Sequence, residues 1–491
     1  MKSILYLSII ILFLFSCQQT QEEKEEAIAK KTCGSCHKFP DPNLLDKKTW
    51  ETGVLPEMAF RLGIGNRFEL MTRISEEQYQ SALQMNIYPE TPSISQEDWQ
   101  AIVNYYTRNA PEKPVAQKKK EPVGLEHFHF KVENYLTPND LIAGVTSIKI
   151  HPTKPEVWVG MRTHQTVVLD ANLKAKGQFQ TRSSNVSTQF IGTRTFLTGI
   201  GKMYPNDQKL GTLYELQGNQ PVTLLDSLKR PVDLQVADLN EDKILDYVLC
   251  EYGFEQGQLI WIDGKTKEKH PLKIQAGARN VVIRDFTGEG LPDIMALTAQ
   301  SREGVSLFIN KGKGSFIEKP LLQFDAVFGS SYMEVADMNK DGYLDILVSN
   351  GDNADYSFSK KAFHGVHLYV NDGRNNFKEA YFYPAYGASK TIARDFDQDG
   401  DLDMALIAFF AENDKGKNEG FLYFQNQGNL TFKVSNLGIE EGPHYIVMDA
   451  GDVDKDGDLD ILLGNYQFGK RKPGAKVPPG LQMHYIKNLL H

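Results

Sequence analysis

From residue 145 onward, apolar residues come in short runs separated by Gly, Asn, Asp and Pro. "DYVLCEY" (246–252), "DIMALTA" (293–299), "DILVSNG" (345–351), "DMALIAFF" (403–410) and "DILLGNY" (460–466) are the clearest. Unbroken apolar runs of this length predict strands buried on both faces. Between them lie segments that alternate and turn at Asn or Gly. "LFINKGKGSFIEK" (307–319), "LYVNDGRNNFKEA" (368–380) and "LYFQNQGNLTFKV" (422–434) predict half-buried hairpins. Residues 27–112 carry a helical period instead. "SQEDWQAIVNYYTRNAPE" (95–112) offers Ser95 as N-cap, with Trp99, Ile102, Val103 and Tyr106 on one face. A small all-α domain therefore precedes a large all-β one. The Pro- and Lys-rich segment 113–125 predicts an extended linker between them.

The β part repeats itself. Five loops begin at Asp238, Asp285, Asp337, Asp395 and Asp452, spaced by 47, 52, 58 and 57 residues, the size of a propeller blade. Each places oxygen side chains at positions 1, 3, 5 and 9. The sets are Asp238, Asn240, Asp242, Asp246; Asp285, Thr287, Glu289, Asp293; Asp337, Asn339, Asp341, Asp345; Asp395, Asp397, Asp399, Asp403; and Asp452, Asp454, Asp456, Asp460. Hard oxygen ligands crowded in one loop repel one another without a cation, which points to Ca²⁺, three to five ions in all. An EF-hand would need a bidentate Glu at position 12, where this chain has Leu249, Ala296, Val348, Leu406 and Leu463. The motif resembles the FG-GAP/VCBS repeats of integrin-type β-propellers, clearly over 230–491 and poorly over 126–229. That resemblance implies ions that staple blades and do no chemistry. Lys243 stands where the pattern has glycine, which puts a side chain on a left-handed turn. The last three loops are expected to bind best. "VTSIKIHPTKPEVWVG" (145–160) and "STQFIGTRTFLTGIG" (187–201) read as two further blades without the loop. The expected fold of 126–491 is thus an all-β seven-bladed propeller. "EHFHFKVENY" (126–135) is expected to supply the outer strand that the last blade lacks, closing the ring.

The N-terminus carries different chemistry. An apolar run from Ile4 to Phe15 is too short to span a bilayer and suits a signal peptide, residues 1–16. It ends in "LFSC", which resembles a bacterial lipobox. The resemblance implies lipidation at Cys17, export and anchoring to a bacterial membrane, the outer one expected, by lipid alone. Residues 17–26 then read as a polar tether.

Cys33-Gly-Ser-Cys36-His37 follows. A redox dithiol would sit in a βαβ pattern, and a zinc site would need further ligands; neither is present. C-x-x-C-H suits covalent attachment of one haem c, with Cys33 and Cys36 as thioether donors and His37 as the proximal iron ligand. With the 95–112 helix and "TWETGVLPEMAFRLG" (49–63), residues 27–112 resemble a class I-like cytochrome c domain of the kind fused to FG-GAP/VCBS repeats. Met58, expected in a loop after Pro56, is the distal-ligand candidate, and Met85 the second. Cys250, at the end of "YVLC", reads as a small buried hydrophobe.

A net charge of −9 over 491 residues excludes the basic face of a nucleic-acid binder. No Ser-His-Asp order, phosphate loop or H-E-x-x-H motif is present. Arg230, Arg279, Lys390 and His444 are expected at one mouth of the propeller channel, where a basic set would meet an anion or merely offset nearby acids. The reading is a membrane-anchored electron-transfer protein whose propeller docks an unidentified redox partner protein, or a carbohydrate or protein ligand. A quinone-dependent dehydrogenase feeding its own cytochrome is the alternative, and a carbohydrate-binding adhesion module the second.

Overall fold

The computed structural model describes residues 19–118, 122–124, 130–136, 142–352, 360–411, 419–436, 444–468 and 480–490. The signal peptide and Cys17 lie outside these residues.

Seven sheets form the body. Six blades read outward in chain order, the first from Val145–Ile150 to Ala175–Gln180 and the sixth from Ala388–Arg394 to Phe432–Asn436. The seventh takes three strands from the C-terminus, and its outermost strand is Phe130–Leu136. That strand pairs antiparallel with Leu481–Asn488, Phe130 opposite Asn488 and Val132 opposite Ile486. Each second strand is buried along its whole length in the five loop-bearing blades, which is why those segments are unbroken apolar runs. The core lies between blades. Leu347, Val366 and Leu368 of the fifth pack on Met404, Leu406 and Phe424 of the sixth. Leu462 and Met483 of the seventh pack on Val145 and Leu169 of the first, so the ring is closed by packing as well as by pairing. Cys250 is fully buried.

The helical domain is held by its two terminal helices, Gln21–Cys33 and Gln96–Asn109. Ser95 caps the second, accepting from the Asp98 amide at 3.0 Å. Thr20 caps the first in a reciprocal box with Glu23. This corrects the expected tether: residues 21–26 are helical, because the box starts the helix and Arg108 grips buried Glu25 at 2.6 Å. Met58 is likewise helical, in Leu55–Arg61, with Pro56 in its first turn directly after the π-helical turn Trp50–Val54. Among the described residues, no helix is long and apolar enough to cross a membrane.

The linker is not a free spacer where it is described. The Gln117 side-chain amide donates to the carbonyls of His364 (2.7 Å) and Lys361 (3.3 Å), and residues 123–124 pair parallel with 435–436 of the sixth blade.

Candidate functional site

Two sets of residues carry chemistry, and they sit on opposite faces of the propeller. Strands alternate in direction, so the loops joining first to second strands share one face. Loops joining second to third strands, and one blade to the next, share the other. The aspartate loops occupy the first face, and the helical domain docks on the second.

In all five loops the ninth-position aspartate opens the second strand and is fully buried: Asp246, Asp293, Asp345, Asp403 and Asp460. One of its oxygens accepts the backbone N–H of loop position 2, from Leu239, Phe286, Met338, Phe396 and Val453 at 2.9–3.3 Å. The other accepts a backbone N–H at the end of the third strand, from Gly264, Asn310, Asn371, Asn426 and Asn488 at 2.7–2.9 Å. Each carboxylate thus ties its loop to its blade. The asparagines go further. Asn310 donates its side-chain amide to Leu239 O of the preceding blade, and Asn488 to Phe396 O. The strand-ending Asn was visible in the sequence, but its partner was not.

The loops differ in what is left over. Asp285 accepts four backbone amides on its two oxygens, and Thr287 donates to Asp293. Asp337 has both oxygens taken, by the amides of Asp341 and Gly342. In contrast, buried Oδ1 atoms of Asp238, Asp395, Asp452 and Asp454 have no hydrogen-bond partner among the described residues. One carboxylate oxygen from each of Asp395, Asp397 and Asp399 lies within 4.8 Å of the others, and the same holds for Asp452, Asp454 and Asp460. Burial pushes Asp403 up to about 7 and Asp460 up to about 6, and a cation beside them would favour their ionised form. Lys487 supplies part of that charge, lying against Asp454 and Asp456. Orphaned buried oxygens in a hard-donor set fit Ca²⁺ in the fourth and fifth loops. Backbone strain follows the sequence pattern. Lys243 has φ +67°, matching Gly290 (+82°), Gly342 (+88°), Gly400 (+89°) and Gly457 (+101°).

The C-x-x-C-H segment leaves the end of the first helix. Cys33 is half-buried and Cys36 exposed, and both are free thiols. Burial pushes the Cys33 thiol up, against a lowering contact from the Tyr106 hydroxyl. His37 Nδ1 lies 2.9 Å from Lys38 O. A carbonyl only accepts, so Nδ1 carries the proton and Nε2 presents its lone pair. Such a backbone bond is what fixes the tautomer of metal-ligating histidines. Met58 packs, half-buried, on the same apolar cluster as Cys33, with Trp50, Ile102 and Tyr106 at its centre. Met85, just past the helix Glu76–Gln84, is 48% exposed, while Tyr79, Ala82 and Leu83 take the inward face of that helix. Two free thiols, an available imidazole nitrogen and a neighbouring thioether fit a covalently bound haem.

The expected basic mouth is balanced instead. Arg230 donates to Gly253 O and Met203 O and packs on Tyr252. Lys390 donates to Met448 O and lies over Tyr332, with burial holding its pKa down against the pull of Asp449. Arg394 pairs with Glu334 at 2.7 Å, and Arg279 offsets Asp233. His444 Nδ1 bonds to Phe409 O. The acids that offset this set lie on other blades, so the sequence could not say which they are.

The FG-GAP-like repeat model matches residues 285–348 and 395–463, each segment starting on the first aspartate of a loop. Four of the five loops fall within these matched segments. The loop with Lys243 lies outside both segments. No curated protein matches the chain in sequence. Similar solved structures include a chain of the Dbp5–Nup159–Gle1 complex of S. cerevisiae, 11% identical, covering 76% of this chain and 99% of that one, TM-score 0.43. The Pan2 WD40 domain of Neurospora crassa is 9% identical over 74% and 97%, TM-score 0.46. BamB of Moraxella catarrhalis is 10% identical over 70% and 85%, TM-score 0.38. These likenesses are distant, and the seven-bladed propeller rests on the strand pairing instead.

Proposed function

We propose that the protein is an electron-transfer protein that carries one covalent haem on its helical domain, with the FG-GAP propeller as docking platform. The observation that carries this reading is His37: its Nδ1 is bonded to a backbone carbonyl, leaving Nε2 for iron, beside the free thiols of Cys33 and Cys36. The haem, once attached, supplies reversible one-electron chemistry at iron. The chain's own residues do the rest. Cys33 and Cys36 tether the macrocycle, His37 holds it from one side, and Met58 offers a thioether from the apolar cluster that keeps water out. Calcium in the fourth and fifth loops staples the blades. Lipid on Cys17 anchors the exported protein to a bacterial membrane surface.

The test is the purified mature protein. Reduced-minus-oxidised spectra and a pyridine haemochromogen assay are expected to show one c-type haem per chain. A colourless protein from a host competent in haem attachment overturns the reading. Sugars and alcohols, with pyrroloquinoline quinone and Ca²⁺, are expected to leave the haem oxidised. Substrate-dependent reduction would make the propeller a dehydrogenase.

A further inference from the structure

We propose that Arg302 and Asp325 of the propeller are positioning residues for the haem-attachment loop, holding the residues on either side of His37 and setting, by their charges, the reduction potential of the haem. The inference rests on the haem reading above and assigns the propeller a part in the redox site beyond docking.

The geometry brackets one residue. Arg302 Nε donates to the carbonyl of Cys36 at 2.8 Å, across 266 positions of sequence. Asp325 accepts from Lys38 Nζ at 3.0 Å. His37 lies between these two, and its ring is oriented by the carbonyl of Lys38. Both propeller residues come from neighbouring loops of one face, Arg302 after the strand Asp293–Thr298 and Asp325 after Phe316–Gln323. Two residues on, Val327 packs on the apolar cluster that holds Cys33 and Met58.

The helical domain does not fix this loop by itself. The helix ends at Cys33, and Ser35 makes its last bonds back to Thr32. The next tie on that side is Tyr106 to the carbonyl of Pro40. In between, the Cys36 thiol meets Ser35 Oγ at 3.6 Å, while the Cys36 carbonyl and the Lys38 ammonium are held from the propeller.

Energy distinguishes positioning from support. Lys38 is half-exposed and Arg302 exposed, and a solvent-exposed ion pair or hydrogen bond of that kind adds little to stability. Removing either leaves the fold intact. Their effect is local: a fixed cation on the carbonyl of Cys36 disfavours the more positive, ferric state, and a fixed anion beside Lys38 favours it.

The experiment uses the full-length haem-loaded protein with Arg302→Gln and Asp325→Asn. Spectroelectrochemical titration is expected to give a lower reduction potential for Arg302→Gln and a higher one for Asp325→Asn, with melting temperatures unchanged. Asp226→Asn, an exposed neutralisation on the second blade, is expected to leave the potential where it is, which excludes a net-charge effect. Potentials unmoved in both variants, or shifted in the same direction, overturn the inference while the haem reading stands. A wild-type protein without haem overturns both.

Discussion

Arg61 and Glu255 face each other across 194 positions of sequence, and one guanidinium nitrogen donates to both carboxylate oxygens, at 2.9 and 2.7 Å. Tyr88 adds its hydroxyl to the same carboxylate at 2.8 Å. Glu255 is nearly buried there, with 5% of its side chain exposed. The helical domain is thus clasped to the third blade by a desolvated acid. Glu255→Ala removes the acceptor that Arg61 and Tyr88 share and should weaken docking by about 2–3 kcal/mol. Circular dichroism and calorimetry are expected to resolve a helical transition below that of the propeller. A single unshifted transition would contradict this.

The first calcium-type loop carries avoidable strain. A left-handed backbone costs a side-chain residue about 1 kcal/mol, and glycine removes that cost. Lys243→Gly is therefore expected to raise stability by up to about 1 kcal/mol, and Gly457→Ala to lower it by about as much. Chemical denaturation of the pair measures both signs in one protein.

Acid should loosen the helical domain through Glu25. Burial pushes its pKa up, but hydrogen bonds from Arg108, Gln21 and Asn104 outweigh that, and the folded-state value lies below the ordinary 4.5. The unfolded chain therefore binds the proton more readily. The pair's stabilisation is present above pH 4.5 and is lost as pH falls through the lower folded value. Thermal melts from pH 6 to below pH 4, followed at the helical signal, should show a decline that Glu25→Gln largely removes. An identical decline in the variant would assign the effect elsewhere.

Chelation separates the loops. With free Ca²⁺ at a hundredfold its Kd, each occupied site adds about 2.7 kcal/mol, so a chelator should lower the propeller melting temperature. Asp452→Asn should remove part of that response. Asp285→Asn should leave calcium binding unchanged, since backbone amides already satisfy Asp285. Titration calorimetry on the two variants decides the point.

The distal ligand is testable by colour. Met58→Ala is expected to abolish the thioether-to-iron charge-transfer band of the oxidised protein, and Met85→Ala to leave it, because Met85 points to solvent. The reverse pattern would move the ligand to Met85.

What could be read from the sequence was local or periodic. Cys33, Cys36 and His37 lie within five consecutive residues, just where the first helix ends, so their spacing sets much of their geometry. The 1, 3, 5, 9 aspartates act within one loop, and the left-handed turn at Lys243 follows from its position in the motif. Burial of the second strands fell out of their unbroken apolar runs, and the strand that completes the seventh blade could be inferred from a hairpin lacking its partner.

Whatever depended on contacts between distant segments was settled by the tertiary structure. Loops of nearly one sequence differ because backbone amides quench Asp285 and Asp337 but leave Asp395 and Asp452 with an orphaned oxygen. That outcome depends on which backbone amides each loop turns toward its first aspartate. Which reading of the basic mouth holds was decided in the same way: Asp233 and Asp449, entering from other blades, offset Arg279 and Lys390. The grip on His37 joins loops 266 and 287 positions apart. A chain can declare its local chemistry through spacing, but charge balance and docking are sums over neighbours that only folding brings within reach.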